Sequence, residues 1–431
     1  MKISKETENI KQKVDEYINA ISKLNPFSGS ILIAVKEHIL VTESFGMADY
    51  EHNIPNTPKT KFRIGSNTKS FTALAIMQLH ERGIINVNDA LAKYLPDYPA
   101  AQKITIHHLL THTSGIPDYN RFPDSIAKKT LPASLTEMIE EFKNEPLDFV
   151  PGEEFRYSSS GYILLSYIIE KMSEKSYEDF LTENIFNPLD MNNTKIDRHD
   201  AIIKNRAVGY TLGEKGLVNA RYTNVGRSSG AGGLLSTVED MYLWDRALYT
   251  EKLTTKDSLE KIFTPFRHNY GYGWFIGKYL NRKMVNHGGR SLGFVADIMR
   301  FIDDDTCVII LSNYDYISLP TISKTLAAIA FGEKYELPKQ PIAIELNNIL
   351  DEYVGAYQFQ PHIIITITKE DGRLFGQMSR QAKIQIWPES ETEFFSKIPD
   401  WRITFINDKK GKITELILHY FGIRVQAKRI K

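Results

Sequence analysis

Ser66 and Lys69, in the stretch "RIGSNTKSFTA" at residues 63–73, are separated by three positions and stand at the start of an apolar run. On a helix, residues i and i+3 share a face, so the lysine amine can approach the serine hydroxyl. A serine hydroxyl is a weak nucleophile until a neighbouring base takes its proton. The N-terminus of a helix, with its unpaired N–H groups and its dipole, favours the negative charge that then develops. An ordinary helix start, a serine cap followed by a solvated lysine, would read the same. Two further stretches tip the balance. "PGEEFRYSSSGYILLSYIIE" (151–170) places Tyr157 after a Pro-Gly turn and before a helical run. A tyrosine beside a lysine can act as phenolate and accept a proton. "NHGGRSLGF" (286–294) puts His287, Gly288 and Gly289 between two strand-like runs, where paired glycines let a substrate lie close to the strand backbone.

The elements that must position these groups follow from periodicity. Residues 5–24 carry Ile10, Val14, Ile18 and Ile21 at helical spacing. Residues 28–35 and 38–46 read as a hairpin, 66–82 as a helix with Gly83 as its C-cap, and 270–277, 283–289, 293–301 and 306–313 as successive strands before a helix over 321–331. A sheet is thus assembled from both ends of the first ~330 residues around a mostly helical insertion, an α+β pattern without βαβ repetition. The proline-containing stretch 332–345 reads as a linker. Beyond it come short β runs punctuated by "EDG" and "NDKKG", as in a small all-β barrel of about 80 residues. The expected domains are 1–335 and 345–431.

Composition narrows the classes of function. Of 431 residues, 42% are hydrophobic, enough for a large core, and Lys+Arg and Asp+Glu are both 53. A net charge of zero gives no reason to expect nucleic acid or an anionic membrane as partner. The single cysteine, Cys307, excludes an internal disulfide and sits in the apolar run "TCVIILSN", as a buried structural thiol would. The start of the chain has no secretory h-region and no run is long enough to span a membrane, so the expected location is cytoplasmic; a periplasmic or secreted protein whose leader had been removed would look alike. "GRSSG" (226–230) matches the nucleophile elbow of α/β-hydrolases, but Ser228 lacks the strand before and helix after that the elbow needs. It is read as a turn lining the cleft. His107, His108 and His112 lack partner ligands at metal spacing and are read as cap and packing residues. The aromatics of "RHNYGYGW" are read as core or cleft wall.

Taken together, the three stretches resemble the serine β-lactamase-related hydrolases, in particular the group of class C β-lactamases, D-Ala-D-Ala carboxypeptidase B and esterases. Ser66-Asn67-Thr68-Lys69 matches S-x-x-K, Tyr157-Ser158-Ser159 stands where the group has Tyr-x-Asn, and His287-Gly288-Gly289 where it has Lys-Thr-Gly or its His-Gly-Gly variant. "LLTHTSGIPDY" (109–119), "GAGGLLSTVEDMYLW" (230–244), "YGYGW" (270–274) and "LSN" (311–313) agree, so the likeness covers nearly all of 25–330 with its motifs in order. The tail resembles the lipocalin-like C-terminal domain of some members.

The resemblance implies an antiparallel sheet flanked by helices, a helical lobe and a serine hydrolase using an acyl-enzyme, with no metal and no cofactor. Ser66 would be acylated, and Lys69 and Tyr157 would share the base work. His287 would take the cation or hydrogen-bonding position facing Tyr157 and a substrate carboxylate. The N–H groups of Ser66 and Arg290 would form the oxyanion hole, and Tyr119 would line the mouth of the cleft. Ser159 departs from the family's asparagine: it could hold Lys69 but reaches substrate poorly, which favours esters over β-lactams. A histidine at 287, only partly charged near neutrality, points the same way. Small esters, amides or D-residue peptides are the expected substrates, chosen by loops within 116–150 and 201–230. Homo-oligomerisation through the C-terminal domain, or gating by it, is a further expectation. The rivals are a non-catalytic scaffold, motivated by Ser159, and a penicillin-binding peptidase that deacylates slowly.

Overall fold

A computed structural model describes residues 2–24, 26–213, 216–338, 349–360, 363–379, 383–396, 401–420 and 423–430. The central sheet has six antiparallel strands: β1 (Gly29–Val35), β2 (His38–Phe45), β3 (Phe275–Tyr279), β4 (Arg282–Ser291), β5 (Phe294–Phe301) and β6 (Thr306–Ser312), in the order β3-β4-β5-β6-β1-β2. Residues from both ends of the chain meet where β1 pairs with β6, from Gly29↔Ser312 to Val35↔Thr306. The inner strands β1, β5 and β6 read as continuous apolar runs because helices cover both faces.

Side chains alternate between the two faces. Ile31 and Ile33 point into one core, with α1 (Lys2–Leu24) and the C-terminal helix of this unit behind them. Leu32 and Ala34 point into the other. Ile10, Val14 and Ile18 of α1 are buried with Ile31 and Ile33, and Ile21 packs against the same core, as their spacing requires. The second core surrounds α2 (Thr68–Glu81), in which twelve consecutive residues, Thr68 to Leu79, are buried. Among the longer helices further along the chain, α3 (Ser159–Ser173) and α4 (Val238–Ala247) pack on the same side, and α5 (Leu319–Ala330) lies beside α1. Cys307 is buried as a free thiol.

The expected strand over 270–277 forms only from Phe275. Gly273 adopts φ +77°, and a Cβ there would lie 2.8 Å from the Lys69 carbonyl oxygen, so the segment turns against the back of α2 instead of extending. The C-terminal unit is a closed eight-stranded antiparallel barrel, from Gly355–Gln360 to Ile423–Arg429, closed by the pairing of Tyr357 with Arg429. The "EDG" signal is a tight hairpin with Asp371 and Gly372 both at positive φ. Side chains such as Tyr357, Trp401, Phe405 and Leu416 fill the barrel interior. Of the expected linker 332–345, residues 332–338 are irregular and the remainder lies outside the described residues.

Candidate active site

Ser66 lies not within α2 but in the 3-10 turn Gly65–Asn67 just before it. The turn is held by a close approach of β4. Gly65 has φ +50°, and a Cβ on it would come within 2.6 Å of the Arg290 backbone nitrogen. From the other side, a Cβ on Gly289 would sit 1.8 Å from the Ile64 carbonyl oxygen and 2.8 Å from Asn67 Nδ2. Asn67 Nδ2 in turn donates to Ile64 O at 3.1 Å. Glycine is therefore required at 65 and at 289. At 288 the nearest atom to a Cβ would be Asp297 Oδ1 at 3.8 Å, which is ordinary contact.

Lys69, the second residue of α2, is completely buried. Its Nζ is 3.1 Å from Ser66 Oγ and donates to the Ala231 carbonyl at 2.6 Å. The amine also lies over the rings of Tyr157 and Tyr162, 4.9 and 5.5 Å from their centroids. Burial lowers its pKa from 10.5 to about 7, against the opposing charge of Asp118. A substantial share of the amine is then neutral near pH 7, close enough to the serine hydroxyl to take its proton. The Ala231 carbonyl is fixed by its neighbour: Thr72 of α2 donates to Gly230 O at 2.7 Å, and a Cβ on Gly230 would meet Ser166 Oγ at 2.2 Å.

Tyr157 is part of an aromatic cluster. His112, in left-handed conformation at φ +57°, has its ring centroid 4.2 Å from that of Tyr157 and accepts at Nδ1 from the Ser158 N–H at 3.2 Å. Burial, with the Lys69 and His287 charges adding to it, holds His112 well below the usual histidine range. Among the described residues, the buried Tyr157 hydroxyl finds no hydrogen bond of good geometry. Burial raises its pKa above 10, and the neighbouring Ser66 hydroxyl opposes that rise. The phenol therefore stays protonated around neutrality. It can donate or relay a proton, and Lys69 is the group with base character.

His287 is 2% exposed and turned into the same cluster. Its Nδ1 is 2.6 Å from Gly288 O and its Nε2 3.1 Å from the Tyr270 hydroxyl. A carbonyl can only accept, so Nδ1 carries the proton and Nε2 accepts from Tyr270. Burial and the Lys69 charge push the imidazole down to about 3 despite the Gly288 bond. Of the two roles considered from the sequence, this environment fits the hydrogen-bonding one; a cation here would be strongly disfavoured.

These groups open onto a cleft of about 400 Å³ whose walls include Ser66, Tyr157, Ser159, Tyr119 and Arg290. Tyr119 is 4% exposed, with its N–H bound to Ser160 Oγ at 3.0 Å; burial pushes its phenol up to about 12. Ser159 opens α3 and faces the cleft, but among the described residues it makes no hydrogen bond to Lys69. The carbonyl of Ala231 holds the amine instead. Ser228 lines the cleft as part of a turn. His108 closes a capping box with Thr105, and His107 meets the Tyr272 hydroxyl at 2.8 Å. Among the described residues, metal-like spacing is found at the surface, at Asp49, Glu51 and His52, where Asp49 and His52 already pair.

Three contributors were not legible in the sequence: the Ala231 carbonyl, the Tyr270 hydroxyl and Asp118. A main-chain carbonyl leaves no signature in residue type. Tyr270 reads from the sequence as part of an aromatic, strand-like run. Asp118 adjoins Tyr119 in "GIPDY" without a partner in sequence.

Comparison with known proteins agrees with the fold. The model of the Beta-lactamase family matches residues 18–330, and a domain of unknown function, DUF3471, matches 343–430. Penicillin-binding protein 4* of Bacillus subtilis (strain 168) is 31% identical over 453 residues, spanning 98% of this chain and 100% of that protein. The octameric penicillin-binding protein homologue from Pyrococcus abyssi superposes with a TM-score of 0.69 at 27% identity, covering 97% of this chain and 99% of its own. A penicillin binding protein from Bacillus halodurans gives 0.63 at 29% identity, over 69% and 95%. Relatives of this kind support serine hydrolase-type chemistry in general.

Proposed function

Because the chain belongs to the Beta-lactamase family, we propose that it is a serine hydrolase that works through an acyl-enzyme at Ser66 on small esters, amides or D-residue peptides. The observation that carries this reading is the buried Lys69 amine, 3.1 Å from Ser66 Oγ and with a pKa of about 7. Neutral Lys69 takes the Oγ proton as Ser66 attacks the carbonyl carbon. The N–H groups of Ser66 and Arg290 stabilise the oxyanion, at roughly 2.7–4 kcal/mol of barrier per donor. Collapse of the tetrahedral intermediate expels the leaving group, which is protonated by the Tyr157 phenol, itself reprotonated from Lys69. Water, deprotonated by the same pair, then attacks the acyl carbon and releases Ser66. His287 acts as a neutral support for Tyr270 and for the β4 backbone.

Ser159 in place of an asparagine and a neutral His287 both weaken the polar grip that a β-lactam or a carboxylate-bearing substrate would need. Esters are the favoured class on that ground. The test is turnover of an ester and D-peptide panel by the parent and by Lys69→Met. Loss of about 10²-fold or more on every substrate supports the reading; equal rates would sink it. Ser159 also motivates a non-catalytic reading, which complete absence of turnover in the parent would favour. A covalent β-lactam adduct lasting hours would favour a slowly deacylating penicillin-binding peptidase.

We further propose domains at 1–335 and 345–431 and self-assembly through the second, motivated by the octameric state of the Pyrococcus relative. Deletion of 340–431 should lower the number of subunits per particle by light scattering, and an unchanged number would refute the proposal.

A further inference from the structure

Beside the cleft lies a second groove of about 290 Å³, and the two share Thr223, Val225 and Leu292 as a common wall. Its chemistry is unlike that of the cleft. Asp197, 2% exposed, forms its floor. One carboxylate oxygen accepts from Arg63 Nε at 2.6 Å and the other from Arg206 Nη1 at 2.9 Å. Arg63 also donates to Thr223 Oγ1 at 3.2 Å and lies over the Phe294 ring, 5.3 Å from its centroid. Both guanidiniums are thereby held in fixed orientation, with donors unspent. A third, Arg221, is exposed on the groove wall and makes no ion pair or hydrogen bond among the described residues. Two guanidiniums thus share one carboxylate while the third, Arg221, lines the same groove, an excess of positive charge that the fold itself does not use. Tyr222, 54% exposed, adds a flat apolar wall at the rim.

We propose that this groove is an anion subsite for the substrate: it receives a carboxylate or phosphate group carried along the substrate from the reacting carbonyl. The inference rests on reading the first cleft as an acyl-transfer site. Guanidiniums suit planar, bidentate recognition of either oxyanion, and pre-orientation by Asp197 lowers the entropy lost on binding. The shared residues set the two spaces side by side, within reach of one extended molecule. The neutral, buried His287 offers no such charge in the cleft itself.

The experiment compares three peptides of equal length that differ only in a tail group: a carboxamide, a carboxylate or a phosphodiester. Binding is measured by calorimetry on Ser66→Ala, and turnover on the parent. The anionic tails should bind about tenfold tighter than the carboxamide, one well-made contact at 1.4 kcal/mol per tenfold. Arg221→Gln should bring that ratio close to one, Arg221→Lys should restore part of it, and raised salt should shrink it. Thermal melts of both variants, at an exposed site, report folding. Whichever anion binds tighter marks the oxyanion class that the groove prefers. Equal affinity for all three tails overturns the proposal, as does a preference that Arg221→Gln leaves untouched. A tail preference in binding without any turnover in the parent would instead fault the hydrolase reading and leave the subsite standing.

Discussion

Replacing Gly289 by alanine tests whether β4 positions the nucleophile. The added methyl would start 1.8 Å from Ile64 O and 2.8 Å from Asn67 Nδ2. Non-bonded carbon contacts settle near roughly 3.5 Å, so strand and turn must part by about 1.5 Å. Ile64 and Asn67 flank Gly65 and Ser66, so the turn bearing the nucleophile moves with them. Overpacking of this kind costs about 1–3 kcal/mol of stability, which a domain of this size can absorb. Misplacing a reacting group by ~1 Å costs on the order of 10²-fold in rate, so Gly289→Ala should lose at least ~10²-fold in kcat on an ester. Gly288→Ala is the matched control. Its methyl meets nothing nearer than 3.8 Å, and its loss should stay below about tenfold. Initial rates are read at equal folded fraction, set by thermal melts. If folded Gly289→Ala were as active as Gly288→Ala, the contact between strand and turn would not be what places Ser66.

The pH profile should follow Lys69. Its pKa is lowered, so the base form grows as pH rises through about 7, and kcat/KM should climb below that point and level above it. No inflection should appear near 6.5 from His287, which is held near 3. Asp118→Asn removes the charge that raises the Lys69 pKa and should move the rising limb to lower pH. Folded protein binds fewer protons than unfolded protein at Lys69 between about 7 and 10.4, so this residue should make stability rise with pH across that window, read by urea midpoints. Tyr157→Phe should cost about 10²–10⁴ in kcat, since it removes the proton donor and leaves the lysine in place. Asp245→Asn should destabilise by about 3–5 kcal/mol in urea titration, because it strands Arg300, fully buried and bonded to Asp245 at 2.6 Å.

What the sequence yielded and what it withheld divide along physical lines. Ser66 and Lys69 were legible because helical spacing alone brings i and i+3 together, and the sheet because apolar runs covered on both faces leave a strong pattern. The sequence of 270–274 reads as strand, whereas the structure forms a turn there. Alternating aromatics look extended, and only the approach of Gly273 to the Lys69 carbonyl forces the chain to bend. The requirement for Gly289 but not for Gly288 depends on which side of β4 faces the nucleophile turn, and one chain cannot show that. Charge state was also hidden: a histidine and a tyrosine at the site suggested a partial cation and a phenolate, whereas complete burial keeps both neutral. The arginine groove draws on residues 63, 206 and 221, and only folding brings these together around Asp197.

The central claim is that Ser66 is an activated nucleophile, and intact mass after incubation with a fluorophosphonate tests it most directly. The account predicts a single adduct on the parent, absent from Ser66→Ala and forming faster as pH rises through about 7. An adduct that persists in folded Ser66→Ala, or no adduct in either protein, would contradict it.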